Sequence, residues 1–454
     1  MVVTPTGIAI IALGLFLTLT APRRLMAALV FFSSFSATAV INFSNYGMAP
    51  AVVFLALLLL WKLLGGEALD GVRMSRDQGV AMLLIAVFGA ASVTSLVVNQ
   101  LNRDTLPIQV TQTAYVLFGI AVTFVLSIEM LREGRLDSAV SALRAGATFI
   151  ALWGILQAAC YYAGVAYPAD IFNNSTSHFA DMFDQRASAG VIRIASVATE
   201  PSFMAVSLMI FGSFGATLLA MEPRLRTTAW IVPVALTLLV VAASTSSTGY
   251  VGLGVLGLLL ARRRPGLMLV LGACLVVAGS VLLTLLPGFR DALYEFTFNK
   301  AASGSYVERS GAVWDAFNLF GQQPLFGLGW GGNFSFSIVS ILLANVGLVG
   351  TLVFAVAVLA TLLASRAARL ACRGPAEWRL RVYAEGTENA MIVYMAVSTI
   401  SGFHFVVAEF WCLWAFALAI PSALATASRG AYAMHRPIPF GVRTAAGGIT
   451  ETMK

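Results

Sequence analysis

The chain has 454 residues, of which 59% are hydrophobic and only 11% charged, with a mean hydropathy of +0.86. Such a chain is neither a soluble globular domain nor a disordered segment. Repeated apolar runs of 15 to 28 residues mark a polytopic membrane protein. The net charge of +7 does not mark a nucleic-acid partner, because no basic cluster is interleaved with aromatics in a polar domain.

Backbone groups in lipid must be satisfied within their own segment, so the apolar runs are predicted to be helices. Thirteen spans are predicted, at 4–21, 25–41, 47–64, 78–98, 110–128, 145–166, 200–221, 228–244, 248–261, 266–286, 337–364, 388–403 and 405–425. The first run, GIAIIALGLFLTLTA, has no basic region before it and no small-residue cleavage site after it, so it is read as a retained span. The pair flanking STSST at 244–248 is short, yet the arginines on either side demand an even number of crossings there.

Assigning alternate loops to two sides puts 22 Lys/Arg on one side and 6 on the other, the six being Arg103, Arg186, Arg193, Arg290, Lys300 and Arg309. The basic side is cytoplasmic by the positive-inside rule, with the N-terminus outside and the C-terminus inside. The expected organisation is therefore an all-α polytopic membrane protein. Its N-terminal helices span 1–166, its first long outer loop 167–199 and its central helices 200–286. A second long outer loop at 287–336, C-terminal helices at 337–425 and a cytoplasmic tail at 426–454 follow. Both outer loops contain aromatic residues, which argues for short amphipathic helices in them rather than disorder.

The spans carry almost no ionisable residues, whereas an ion-coupled transporter would be expected to place acids or histidines at mid-membrane depth. The candidates gather instead at the outer face: His178, Asp181, Asp184, Arg186, Arg193, Glu200, Arg290, Lys300, Glu308, Arg309, His404 and Glu409. In RSGAVWDAFNLFGQQPLFGLGWG (309–331), a helix over 306–320 puts Val313, Ala316, Phe317 and Phe320 on the face of Arg309. That arginine either snorkels to headgroup phosphates or binds charge. Gly321 and Pro324 stop the helix, and Gly327, Gly329, Gly331 and Gly332 allow the backbone to approach a neighbour or a ligand. In RIASVATEPSF (193–203), Glu200 either complements the dipole of a helix that begins at Pro201 or acts with Arg193 as a base or clamp. His404, in the turn SGFHF, is a hydrogen-bonded interface residue or a secondary participant. DMFD at 181–184 is not a DxD signature and no cluster has metal-ligand spacing, so metal-independent chemistry is expected, with arginines supplying the positive charge. The four cysteines are scattered singly and indicate neither disulfides nor zinc.

Arg309, Trp314, QQPLFGLGWG and the following ANVGLVG (344–350) together resemble the C-terminal signature of the O-antigen ligase and Wzy-type polysaccharide polymerase superfamily. TEPSF (199–203), after an outer arginine, is similar to a feature of its exopolysaccharide polymerases. The resemblance implies an inverting, cofactor-free glycosyl transfer on the periplasmic face of the bacterial inner membrane, with an undecaprenyl-diphosphate-linked oligosaccharide as donor. It implies Glu200, Arg309, Arg193 and His404 as catalytic candidates and Arg186, Arg193, Arg309, Trp314 and Gly329 as substrate-binding ones. Chain-length regulators and flippases are the implied partners besides the bilayer itself. Ligases of the superfamily carry a His-Asn pair soon after the glycine-rich turn, where this chain reads NFSFSIVSILLANVGLVG. That favours a polymerase over a ligase, and the scarcity of mid-membrane charge disfavours a flippase or exporter.

A reporter fused after Lys454 is expected to report cytoplasm, and cysteines placed in 170–190 or 300–335 are expected to react with an impermeant thiol reagent in intact cells. Reaction only after permeabilisation would reverse the orientation.

Overall fold

The computed structural model describes residues 1–43, 46–65, 74–98, 106–176, 187–188, 191–266, 280, 284, 304–371, 377–402 and 405–434. Thirteen α-helices are described: α1 (Pro5–Thr20), α2 (Leu25–Phe32), α3 (Pro50–Leu63), α4 (Arg76–Val98), α5 (Leu106–Met130), α6 (Arg135–Ala163), α7 (Pro201–Met221), α8 (Thr228–Ala243), α9 (Ser247–Ala261), α10 (Gly304–Gln322), α11 (Ile338–Ala371), α12 (Trp378–Ser401) and α13 (Ala408–Met434). Six of them, α4, α5, α6, α7, α11 and α13, are long and apolar enough to cross a membrane. The chain is an all-α multi-pass membrane protein. Three short strands, β1 (Val2–Val3), β2 (Ile41–Phe43) and β3 (Tyr46–Met48), pair antiparallel in that order, and β4 (Ala187–Ser188) pairs with β5 (Val191–Ile192).

Twelve of the thirteen expected spans fall on described helices; the one at 266–286 lies almost wholly outside the described residues. The thirteenth helix is α10, the amphipathic segment. The α1, α3, α8 and α9 helices have only 14 to 16 residues, which at 1.5 Å per residue falls short of a ~30 Å hydrocarbon core. Toward its N-terminal end α12 carries Arg379, Arg381, Glu385 and Glu388, and is too polar for a span by composition.

The run 25–41 departs most from expectation, because only Leu25–Phe32 is helical. The following residues, SSFSATAV, include hydroxyl side chains that compete for backbone partners, and here those partners are elsewhere in the protein. The Ala37 amide donates to the Val197 carbonyl (3.0 Å) and the Val40 amide to the Met48 carbonyl (2.8 Å). The Thr38 hydroxyl donates to the Phe172 carbonyl (2.7 Å), and Asn174 Oδ1 accepts from the Ala39 amide (2.7 Å). The tail differs as well, since α13 runs on to Met434.

Helix α7 is the centre of the bundle: 89% of its most apolar window is buried, and α6, α8, α9 and α12 pack around it. A helix apolar on all sides can be surrounded by other helices in this way. The outward faces of the peripheral helices carry Leu19, Leu83, Leu258 and Leu359, all exposed, as a lipid-facing surface requires.

The glycine-rich turn and ANVGLVG are two halves of one joint. At Gly347 (φ 64°, ψ −167°) helix α11 breaks. The amides of Leu348 and Val349 donate to the carbonyls of Pro324 and Leu325 (2.8 and 3.3 Å), while those of Leu328 and Gly329 donate to the carbonyls of Ala344 and Asn345 (2.8 and 3.1 Å). Backbone meets backbone here. A Cβ on Gly347 would overlap the Leu325 carbonyl, and one on Gly327 would stand 2.5 Å from the Asn345 carbonyl carbon. Asn345 clamps the end of the turn, its Oδ1 accepting from the Asn333 amide (2.9 Å) and its Nδ2 donating to the Asn333 carbonyl (2.9 Å).

Gly347→Ala is therefore expected to destabilise the protein by at least about 2 kcal/mol, through the overlap and a backbone conformation that only glycine adopts freely. Gly254→Ala, on an open face of α9, is expected to be neutral or slightly stabilising. Denaturant titration of the purified variants checks both, and equal stabilities would remove the joint from the account.

Candidate functional site

Three of the residues singled out in the sequence converge: Arg193, Glu200 and Arg309. Each is carried by a different device. Arg193 opens a loop, 193–200, whose residues Ile194 to Ala198 are all buried. The loop is pinned to α6 by Gln157, whose Oε1 accepts from the amides of Ala195 (3.0 Å) and Ser196 (2.9 Å). Ser196 takes a left-handed conformation (φ 53°), and its hydroxyl donates to the Ile150 carbonyl (2.7 Å). Gly154 leaves room for this loop, since a Cβ there would meet Ile194 at 2.9 Å.

Glu200 occupies the N-cap position of α7 and Pro201 the first turn. The fixed φ of proline and its missing N–H suit that position. The Glu200 side chain makes no capping bond to the backbone. It turns sideways, so that Oε2 accepts from the Ser202 hydroxyl (2.8 Å) and faces Arg309 Nη2 at 3.5 Å. Arg309 comes from the amphipathic helix α10, which packs on α11. Ala316 is fully buried on the same face of α10 as Arg309. The guanidinium also lies over the Phe336 ring, 4.8 Å from its centroid. Phe336 follows the joint described above, so the glycine-rich turn fixes the surface on which Arg309 rests.

Burial pushes the Arg193 guanidinium below its ordinary pKa, the positive charge of Arg309 pushes in the same direction, and Glu200 opposes them. Two guanidiniums thus lie within electrostatic reach of each other and of one carboxylate. The three groups together carry one net positive charge, at the N-terminus of α7, where the helix dipole adds to it. The arrangement suits an anion with several oxygen acceptors.

The remaining candidates lie apart from this cluster or outside the described residues. Trp314 is 68% exposed on α10, five residues and hence roughly 140° around the helix from Arg309. Gly329 sits inside the joint, its amide facing the Ser95 hydroxyl (3.0 Å) and the Asn345 carbonyl. Arg186 and His404, like His178, Asp181, Asp184, Arg290 and Lys300, lie outside the described residues.

Beside the cluster opens a cavity of about 410 Å³. The non-helical segment after α2, the N-terminal part of α5, Thr199, Phe203 and the Gly331–Phe334 turn are among its walls. Thr199 and Phe203 flank Glu200 in sequence, so cavity and cluster share a wall. Sequence reasoning missed the cavity residues Ser36, Gln112 and Asn333. A signal for one of them was present: Gln109 and Gln112, three apart, put two amides on one face of α5.

No protein-family model matches the chain, and no curated protein matches it either.

Gln157→Leu removes the acceptor of two buried amides, each worth about 1–3 kcal/mol when left unsatisfied. The amides of Ala195 and Ser196 are expected to exchange at least about tenfold faster in this variant. Unchanged exchange would show that Gln157 does not hold the loop.

Proposed function

We propose that this protein is a glycosyltransferase of the bacterial inner membrane, a polymerase that extends a lipid-linked polysaccharide at the periplasmic face. The observation that carries the reading is the contact of Arg309 with the carboxylate of Glu200, with Arg193 within electrostatic reach of both, next to a cavity that Thr199 and Phe203 line. The sequence resemblance and the distribution of basic residues support the same reading, and the resemblance implies a glycan on undecaprenyl diphosphate as donor.

In the proposed reaction Arg193 and Arg309 bind the diphosphate, Arg309 through the planar fork that a guanidinium offers to oxyanions. The acceptor hydroxyl oxygen attacks the anomeric carbon of the donor sugar from the face opposite the diphosphate. The bond between that carbon and the diphosphate oxygen breaks, and its electron pair leaves on undecaprenyl diphosphate. The hydroxyl proton passes to Glu200, which the incoming diphosphate has displaced from Arg309. Configuration inverts, and the arginines stabilise the charge that develops on the leaving group. Transfer to a single terminal acceptor, as in a ligase, would use the same groups.

Glu200→Gln keeps size and hydrogen bonding but removes the basic oxygen. Turnover of purified lipid-linked repeat units is expected to fall by about 100- to 10,000-fold, with donor binding retained. Activity within about threefold of the parent, at equal folded amounts, would rule out the base role. Arg309→Lys keeps a cation but loses the fork, and is expected to abolish polymer in a well-expressed variant. In a deletion strain, single repeat units should remain on undecaprenyl diphosphate; full-length lipid-linked chains would instead identify a ligase.

A further inference from the structure

Helix α10 presents Arg309 on one side only, and its other sides have a chemistry of their own. At about 100° per residue, its positions fall into three sectors when measured around the helix from Arg309. Ala316, fully buried, and the half-buried Val313 and Phe320 lie within roughly 40° of Arg309, on the side turned to the protein. Val307, Trp314 and Phe317 lie at roughly 80° to 160° and are all exposed, the Trp314 and Phe317 rings touching with centroids 6.2 Å apart. Asn318, Gln322, Asp315 and Glu308 lie at roughly 180° to 260° and are exposed as well. A helix between protein and water needs only the first and last of these sectors. The apolar one calls for a second apolar phase.

That phase is identified by what the sector joins. Beyond the end of α10 the exposed apolar side chains continue with Leu325 and Phe326. The joint sets Leu325 against α11, because its carbonyl accepts from the Val349 amide (3.3 Å) and that of Pro324 from the Leu348 amide (2.8 Å). Leu348 in turn opens a stripe on α11 that runs through Leu352, Val356, Leu359 and Leu363, all exposed and spaced three or four apart, as on one face of a helix. Helix α11 is long and apolar enough to cross a membrane, so the stripe faces acyl chains. One apolar surface thus runs from the lipid-facing flank of α11 across the turn to Trp314, and the lipid that covers its one end covers the other. Tryptophan and phenylalanine beside a polar sector suit a helix lying in the plane of the membrane surface. Neither exposed sector holds a lysine or arginine and one holds two acids, so burial of apolar area, and not attraction to anionic headgroups, holds the helix there.

We infer that α10 is a surface-seated membrane helix, with Val307, Trp314 and Phe317 embedded among acyl chains and Glu308, Asp315, Asn318 and Gln322 turned to water. This seating fixes the height of Arg309 relative to the bilayer whatever the cluster binds, so the inference is independent of the proposed reaction.

The test uses the full-length protein in phosphatidylcholine nanodiscs, with a benzophenone-bearing phenylalanine analogue at one position at a time. Illumination joins the analogue to the molecule lying against it, and mass spectrometry identifies the product. The analogue in place of Leu359, on the α11 stripe, gives the lipid reference. Lipid adducts at Val307, Trp314 and Phe317 are expected to reach within about threefold of that reference, and those at Asp315 and Asn318 to be at least about tenfold lower. Replacing part of the lipid with phosphatidylglycerol is expected to change the yields by less than about twofold. At Phe317 the analogue only adds a benzoyl group to the native ring, so this position keeps the test decisive should another variant fail to fold. Lipid adducts at Phe317 as scarce as at Asp315, equal yields in the two exposed sectors, or cross-links to protein in place of lipid, whether in a second copy or elsewhere in the chain, would overturn the seating.

Discussion

A peptide group that leaves a helix among apolar surroundings has no water to bond to, and an unmade backbone bond there costs several kcal/mol. At one end of this bundle several described segments leave the helix, among them 33–40, 193–200 and 324–337. The first two segments meet at the bond from the Ala37 amide to the Val197 carbonyl. The third is closed by the break in α11 at Gly347 and by Ser95, whose hydroxyl lies within hydrogen-bond reach of the carbonyls of both Phe326 and Asn345. All three contribute to one cavity wall, through Ser33 and Ser36, Thr199, and Gly331 to Phe334. Irregular backbone survives here because it pairs with other irregular backbone, and the concavity lies where the three segments meet.

The opposite end of the bundle treats charge differently. Glu129 is wholly buried and takes Lys62 (2.6 Å), Arg135 (2.7 Å) and Arg132 (3.2 Å), tying the ends of α3, α5 and α6 together. Glu385 takes Arg369 (3.1 Å) and Arg263 (3.2 Å), and Arg369 also reaches Glu388 (3.3 Å). These are short contacts, and apart from the half-exposed Arg263 their partners are largely shielded; removing one member of a buried pair costs about 3–5 kcal/mol. The Glu200–Arg309 contact is longer, at 3.5 Å, and Glu200 must serve a second arginine as well. Locks at one end of the helices and a loosely held pair at the other divide fold from function.

Much of the architecture was legible in the sequence because long apolar runs have one structural solution in lipid. The run at 25–41 was not, since hydropathy reports which surroundings a residue prefers and not where its amide finds a partner. The tertiary acceptors at Phe172, Val197 and Met48 override the helix there. Arg193, Glu200 and Arg309 could be picked out because charges are rare in such a chain. Asn333 could not, because an uncharged amide in a turn carries no such mark, and the pair Gln109 and Gln112 on α5 was the one sequence signal that led toward the cavity. The glycines of 327–332 allow close approach to a neighbour or a ligand, and in the structure Gly327 and Gly329 meet α11.

The sideways turn of Glu200 connects the fold to the proposed chemistry. A carboxylate at an N-cap position has amides to accept from, and a capping bond is worth about 1 kcal/mol. Glu200 forgoes that bond and faces Arg309. Without a carboxylate there, Arg193 and Arg309 would repel each other at the positive end of α7. With it, one negative charge offsets the two positive ones. In the proposed reaction the diphosphate brings more negative charge and more acceptor oxygens than Glu200, so it displaces the carboxylate from the arginines. The group that stabilises the empty site is thereby freed, beside the cavity, at the point in the cycle when the acceptor hydroxyl must lose its proton.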